Sequence, residues 1–280
     1  MRGIVGFVLL CPGIFACYIH WTSLPFAMNI TFDRPPVNEV ALGRIFFMRP
    51  DFLVPHYGLI WERLRDQYPL CQQAAPIFGP TGFITDSQGI ALPRIWMLSS
   101  DQSRLIQLQQ DRHYVNWRQV DGVGEYVRFP WIMEEHQRVS RVIDEFFHAE
   151  LGSPLQTVGM ELSYVNLIPL TAEVELVDQV ASILRDVRAP EQGRSTGNPI
   201  FFGSQTDWAM PDGRGGLSAK VAAGMQPDGK RMMRLEISAT GMPLNGMDEA
   251  AWIKQAHDAI VTSFKELTTS AMHETWGLRR

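Results

Sequence analysis

The chain has 280 residues, 45% hydrophobic and 20% charged, a globular composition with enough apolar material for one large domain or two small ones. Its formal net charge of -5 excludes a broad electrostatic footprint for nucleic acid, because such binding relies on neutralising phosphates with Lys and Arg. The basic residues are mostly arginine, with lysine confined to Lys220, Lys230, Lys254 and Lys265.

Between Arg2 and Asp33 there is no Asp, Glu, Lys or Arg, and the run from Ile4 to Trp21 is nearly all apolar. A signal peptide fits poorly, since Ala27 is preceded at minus three by Pro25 instead of a small residue. A membrane anchor through residues 4–26 is long enough, although Pro12 and Gly13 interrupt it. The favoured expectation is an upstream extension, residues 1–27, with Met28 as the start. Two of the three cysteines, Cys11 and Cys17, lie in that segment; Cys71 is alone in the body, which fits a reduced compartment and a cytoplasmic location.

Beyond Pro35 and Pro36, alternation predicts a strand over 37–47, with Val40, Leu42, Arg44 and Phe46 on one face and Glu39, Ala41, Gly43 and Ile45 on the other. The spacing of Leu53, Tyr57, Ile60 and Leu64 predicts a helix over 52–68, capped by Asp51 and stopped by Pro69. Residues 79–91 read as a loop, followed by strands over 94–98, 105–109 and 113–118. A second helix is expected over 131–148, stopped by Gly152 and Pro154. The second half repeats the order, with a strand over 160–170, a helix over 177–187, a strand over 200–204, then a hairpin. That hairpin joins 217–225 to 232–239 through Pro227-Asp228-Gly229. A closing helix over 248–276 takes Asp248 as its N-cap and Gly277 as its stop. The expected class is α+β. It comprises two pseudo-repeated lobes, 28–152 and 153–280, each an antiparallel sheet with packed helices in the order strand, helix, three strands, helix.

The stretch Leu105 to Arg118 lines up polar side chains in strands. Gln107 and Gln109 share a face with Leu105, and Tyr114, Asn116 and Arg118 share one opposite His113, Val115 and Trp117. An antiparallel sheet with one wet face explains this as well as a ligand surface does. The triplet Tyr114-Val115-Asn116 recurs as Tyr164-Val165-Asn166, an echo that a chain this long produces by chance.

The segments Pro35-Pro36-Val37-Asn38-Glu39-Val40, Ile106-Gln107-Leu108-Gln109, Asn116-Trp117-Arg118 and Glu161-Leu162-Ser163-Tyr164-Val165-Asn166, with the closing Trp276-Gly277, carry a resemblance. On them the chain resembles, over essentially Met28 to the end, an uncharacterised and sporadically distributed bacterial family of conserved hypothetical proteins. The resemblance implies a cytoplasmic bacterial protein and brings no assigned activity or catalytic residues. Members of that family begin close to the prolines, which favours Met28.

Motifs for catalysis are absent. The glycine runs at 79–82 and 213–216 lack the Lys and Ser or Thr of a phosphate loop and read as turns. No nucleophile elbow occurs. Glu145 and His148 have Glu-x-x-His spacing once only, on a solvated helix face with Arg138, Arg141 and Asp144, so no metal site is expected. Asp207, Trp208 and Asp212 read as a surface loop. His257 lies on the inner stripe of the last helix beside Ile253, Ile260 and Phe264, where a hydrogen-bonded core histidine is the plain explanation.

The favoured function is a non-catalytic binding or regulatory protein without a cofactor. Gln107, Gln109, Asn116, Arg118, Glu161, Tyr164, Asn166 and His257 would line a polar sheet face or an inter-lobe cleft for a small ligand or protein partner. The alternative is an acid/base enzyme with Glu161 or His257 as proton carrier and Arg118 stabilising an anion, which requires these groups to converge. Nucleic-acid binding through aromatic and Arg groups on the sheet is disfavoured by charge, and a membrane partner depends on residues 1–27.

Overall fold

Strand-type alternation dominates the chain, and among the described residues it builds a nine-stranded sheet, with a two-stranded one beside it. The computed structural model describes residues 30–77, 89, 92–121, 123, 125–187, 197–210, 215–242 and 248–279; the N-terminal extension, most of the 79–91 loop and Asp212 lie outside them. The elements run β1 (Thr31–Phe32), β2 (Val37–Phe46), α1 (Val54–Leu64), β3 (Leu70–Ala74), β4 (Arg94–Leu98), β5 (Arg104–Gln109), β6 (Arg112–Arg118) and α2 (Arg128–Leu151). They continue with β7 (Thr157–Leu170), α3 (Leu176–Ile183), β8 (Phe201–Ala209), β9 (Gly215–Met225), β10 (Arg231–Gly241), α4 (Glu249–Leu267), α5 (Ser270–Trp276) and β11 (Leu278–Arg279).

Nine strands form one sheet in the order β3-β4-β5-β6-β2-β7-β10-β9-β8, and every neighbouring pair is antiparallel. The class is therefore α+β. The two halves do not each close a sheet of their own: β2 and β7, the first long strand of each half, pair with each other and fuse them. The remaining strands of each half are laid outwards from that seam.

Alternation assigns the two faces. Val40, Leu42 and Phe46 of β2 join Ile106, Leu108, Val115, Met160, Leu162, Leu235 and Ile237 in two core clusters, to which all five helices contribute buried residues. Helices therefore cover one face. Residues of opposite parity, including Glu39, Gln107, Asn116, Glu161 and Glu236, form a second face on which no described helix packs.

Several local expectations shift. Helix α1 starts two residues later than Asp51 suggests, because Asp51 pairs with Arg49 at 2.7 Å and Leu53 occupies the cap position, its N–H donating to His56 Nδ1 at 2.9 Å. Leu70–Ala74, unassigned by pattern, is the edge strand β3. Asp207 and Trp208 belong to β8, not a loop; this strand is exposed over nearly its whole length, so it lacks the burial that produces alternation. The closing helix is two helices. Thr268 adopts an extended backbone, its hydroxyl donating to Phe264 O at 2.6 Å, and bridges to Leu184, so the chain turns before α5 begins.

Gly277 ends α5 in the left-handed region (φ +68°), as a helix stop does, and an added Cβ would meet Asp33 Cβ at 2.9 Å. That close approach lets β11 pair with β1, tying the start of the described chain to its end. Among the described residues no helix is long and apolar enough to cross a membrane.

Candidate ligand-binding site

The eight polar residues singled out from the sequence fall on two faces. Gln107, Gln109, Asn116, Arg118 and Glu161 lie on the helix-free face; Tyr164, Asn166 and His257 lie on the helix-covered one. Parity dictates the split, since 161 and 164 differ by an odd number along one strand. The repeated triplet is split the same way. Tyr114 registers with Gly43 and Tyr164 with Val40, so the two tyrosines point to opposite sides.

On the helix-free face, both ends of each amide are engaged. Arg94 Nη1 donates to Gln107 Oε1 (2.8 Å), Gln107 Nε2 to Asn116 Oδ1 (3.0 Å), and Asn116 Nδ2 to Glu39 Oε1 (2.6 Å), a chain of bonds across β4, β5, β6 and β2. Gln109 accepts from Ile77 N–H at 2.8 Å and donates to Ile77 O and Asp111 Oδ1, pinning the segment that crosses it. Tyr114 Oη reaches over β2 to donate to Glu161 Oε2 at 2.7 Å. It can do so because residue 43 is glycine: a Cβ there would sit 2.2 Å from the Tyr114 ring. Burial and the Glu161 charge together push the Tyr114 phenol up, so it stays protonated as the donor. Arg118 donates to Gln102 O at the sheet's rim. Arg118 registers with Glu39 and Glu161 with Gly43, four residues along the same strand, or roughly 13 Å at strand rise. The convergence of Glu161, His257 and Arg118 that acid/base chemistry requires is absent.

On the other face, Tyr164, Asn166 and His257 do converge, on a cavity of about 230 Å³ between β1, the start of α2 and the middle of α4. Its walls are Val37, Ile237, Ile260, Val261 and Phe264, and its near end is built by Tyr126, Arg128 and Phe129. Tyr126 Oη donates to Tyr164 Oη at 3.3 Å. Burial pushes the Tyr126 phenol up to about 12 and holds Tyr164 well above the ordinary tyrosine value, so both are neutral donors in water at neutral pH. His257 stacks flat on Phe129, ring centroids 3.8 Å apart, and hydrogen-bonds Asp258 Oδ1 at 3.4 Å through Nδ1. Burial lowers its pKa against the opposing pull of Asp258, which leaves a neutral imidazole at the wall. Asn166 is buried; its Nδ2 donates to Leu235 O at 3.2 Å.

Tyr126, Arg128 and Phe129 were not singled out by pattern. They precede the apolar stripe of α2, in a stretch without strand or helix periodicity, and only the aromatic density before Pro130 marks it. Arg128 adopts φ +68°, a backbone that non-glycine residues rarely take, and its Nη1 and Nη2 donate to Phe32 O and Asp33 O at 3.0 and 3.1 Å. Those bonds hold β1 against the helix start and close that end of the cavity.

A second, larger cavity of about 370 Å³ lies between α2 and the start of α4, over Arg44. Arg44 is engaged by its neighbours: it donates to Asp144 Oδ2 (2.7 Å) and Thr157 Oγ1 (2.6 Å) and lies 3.5 Å from Glu249. Asp144 is thus the half-exposed ion-pair partner of a buried arginine on the solvated face of α2. Beneath, His113 Nε2 and Ser140 Oγ lie 3.0 Å apart, and the His113 and His136 rings stack at 5.4 Å. One nitrogen of each ring, His113 Nδ1 and His136 Nε2, is buried without a hydrogen-bond partner, and His136 lines the cavity. Among the described residues no group of three or more His, Cys, Asp or Glu is arranged to hold a metal ion. No family model matches the chain, and no curated protein matches it.

Proposed function

We propose that this chain is a non-catalytic binding or regulatory protein that takes a small, largely apolar ligand into the pocket between β1, the start of α2 and α4. The observation that carries the reading is the convergence of Tyr164, Asn166 and His257 on one cavity with aliphatic and aromatic walls, the usual make-up of a ligand site. The pocket joins both halves of the chain: residues 30–37 and 126–130 come from the first, the rest from the second. A ligand seated there would bridge them, which is how occupancy would be communicated to a partner. The helix-free face is the weaker candidate, because its amides already bond to each other and to the backbone. The same proposal takes the chain as a cytoplasmic member of the bacterial family it resembles, a placement supported by the exposed, unpaired thiol of Cys71.

The test is a ¹H–¹⁵N NMR titration with 1-naphthol as probe. Shifts should map to the amides around Tyr126, Tyr164 and His257 and vanish in Val261→Trp, which fills the cavity from a half-buried position. Shifts centred on Asn116, or none in the wild type, would overturn the reading.

A further inference from the structure

We infer that the occupant of this pocket carries a carboxylate on its apolar body, that is, a small aryl or aliphatic acid whose head sits by Arg128, Tyr164 and Asn166. The inference rests on the binding reading above and adds the ligand's chemical class.

The polar groups at the cavity's near end offer more donors than acceptors. Of the two phenols, whichever donates to the other, one hydroxyl hydrogen is left over for a ligand. Asn166 is 3% exposed and lines the cavity, and its one bond to Leu235 O leaves its second N–H and its Oδ1 without a partner among the described residues. Arg128 uses two of the five N–H donors of a guanidinium on carbonyl oxygens, which fix its position but leave its charge intact. Among the described residues it forms no ion pair; the nearby carboxylate of Asp33 is held by Arg279 instead.

The backbone reinforces this field. α2 is a helix of 24 residues whose first turn holds no acidic residue and whose N-cap, Val127, supplies no side-chain bond to the orphan N–H groups. A helix start favours an anion, yet a cation occupies this one at its first position, in a strained conformation. Three features beside this cavity all favour an acceptor-rich negative group: a guanidinium that lies over the Tyr126 ring (5.5 Å) but meets no carboxylate among the described residues, a helix start without a side-chain cap, and an unused hydroxyl hydrogen. A carboxylate supplies two oxygens with about four lone-pair sites and accepts from a guanidinium in a planar fork. Ile260, Val261 and Phe264 of α4, with Ile237 beside Tyr164 on the neighbouring strand, offer only apolar contact to the rest of the ligand.

Isothermal titration of the full chain with phenylacetate, 2-phenylethanol and 2-phenylethylamine separates head group from body. Phenylacetate should bind tightest and the amine weakest. Arg128→Gln should weaken phenylacetate by about tenfold or more, the worth of one charged hydrogen bond, and leave 2-phenylethanol within about twofold. The wild-type ranking needs no variant, so it decides the matter even if Arg128→Gln fails to fold. Equal affinity for acid and alcohol would overturn the carboxylate while leaving the pocket standing. Preference for the amine would overturn it outright. Failure of all three probes, with Val261→Trp indistinguishable from wild type, would bring down the pocket reading and the inference with it.

Discussion

Gln107 and Asn116 on the helix-free face, and Tyr164 and Asn166 on the helix-covered face, are polar residues of one sheet with similar burial. Their bonding differs. The first pair sits in a chain of side-chain bonds from Arg94 to Glu39 in which each amide both accepts and donates. The second pair makes one bond each and faces open space. Burial of a polar group demands partners, and a strand that supplies them from its own neighbours has built a structural crosslink. A strand that leaves capacity unused beside a cavity has built a place for something else. In a sheet, therefore, the mark of a binding residue is not polarity but unengaged bonding capacity next to a void.

The sharpest way to separate the two faces is acid, since amides do not titrate and the buried imidazoles do. Burial, with the Arg44 charge nearby, lowers His136 to about 3, and burial with His136 and Arg44 holds His113 well below its ordinary 6.5. Below pH 6.5 the unfolded chain takes up protons that these folded imidazoles refuse. Stability is thus fully present above 6.5 and is lost as pH falls towards 3, by up to about 1.4 kcal/mol per pH unit for each histidine. Urea melts at pH 7, 6 and 5 should show this slope. His136→Phe should flatten it in part, since burial also holds His113 and His257 below the ordinary imidazole value, and an unchanged slope in that variant would assign the acid lability elsewhere. Next in size, Gly43→Val should cost about 3 kcal/mol, because the added atoms overlap the Tyr114 ring and break its reach to Glu161. Asn116→Leu leaves Gln107 and Glu39 facing an apolar group, at about 2 kcal/mol. Both variants should keep full probe affinity. A drop in 1-naphthol binding in either one would show that the two faces are coupled.

Much of this division was legible in the sequence. Alternation alone puts Gln107 and Gln109 opposite Ile106 and Leu108, and Asn116 opposite Val115, and the helical stripe alone puts His257 beside Ile260 and Phe264. The Pro227-Asp228-Gly229 turn set the register of β9 against β10, with Gly229 at φ +82°. Asp248 as N-cap, accepting from Ala250 N–H, and Gly277 as stop were equally plain, because capping chemistry is local. The seam between β2 and β7 was not, since pairing of segments more than a hundred residues apart leaves no local signal. Edge strand β3, and β8 beyond Ser204, escaped for a different reason: exposed on both faces, they need no alternation. The grouping of eight residues into one site ignored the parity between Glu161 and Tyr164. Tyr126 and Arg128 were invisible, because a positive φ and a bond between two phenols 38 residues apart arise only from tertiary packing.

Tyr164→Phe is the smallest perturbation and the one that weighs most on the comparison. It deletes one oxygen from a core side chain and removes the bond shared with Tyr126, a loss of about 1 kcal/mol in stability. If the phenol were a structural crosslink like Asn116, that modest loss would be its whole effect, and phenylacetate would bind the variant as it binds the wild type. As the pocket's remaining hydroxyl donor, it should instead cost phenylacetate roughly fivefold to tenfold in affinity, with the melting curve hardly moved. Tyr126→Phe supplies the internal control. It breaks the same shared bond but leaves Tyr164 its own hydrogen, so affinity should hold. Equal loss in both variants would mean that the pair, not Tyr164 alone, meets the ligand.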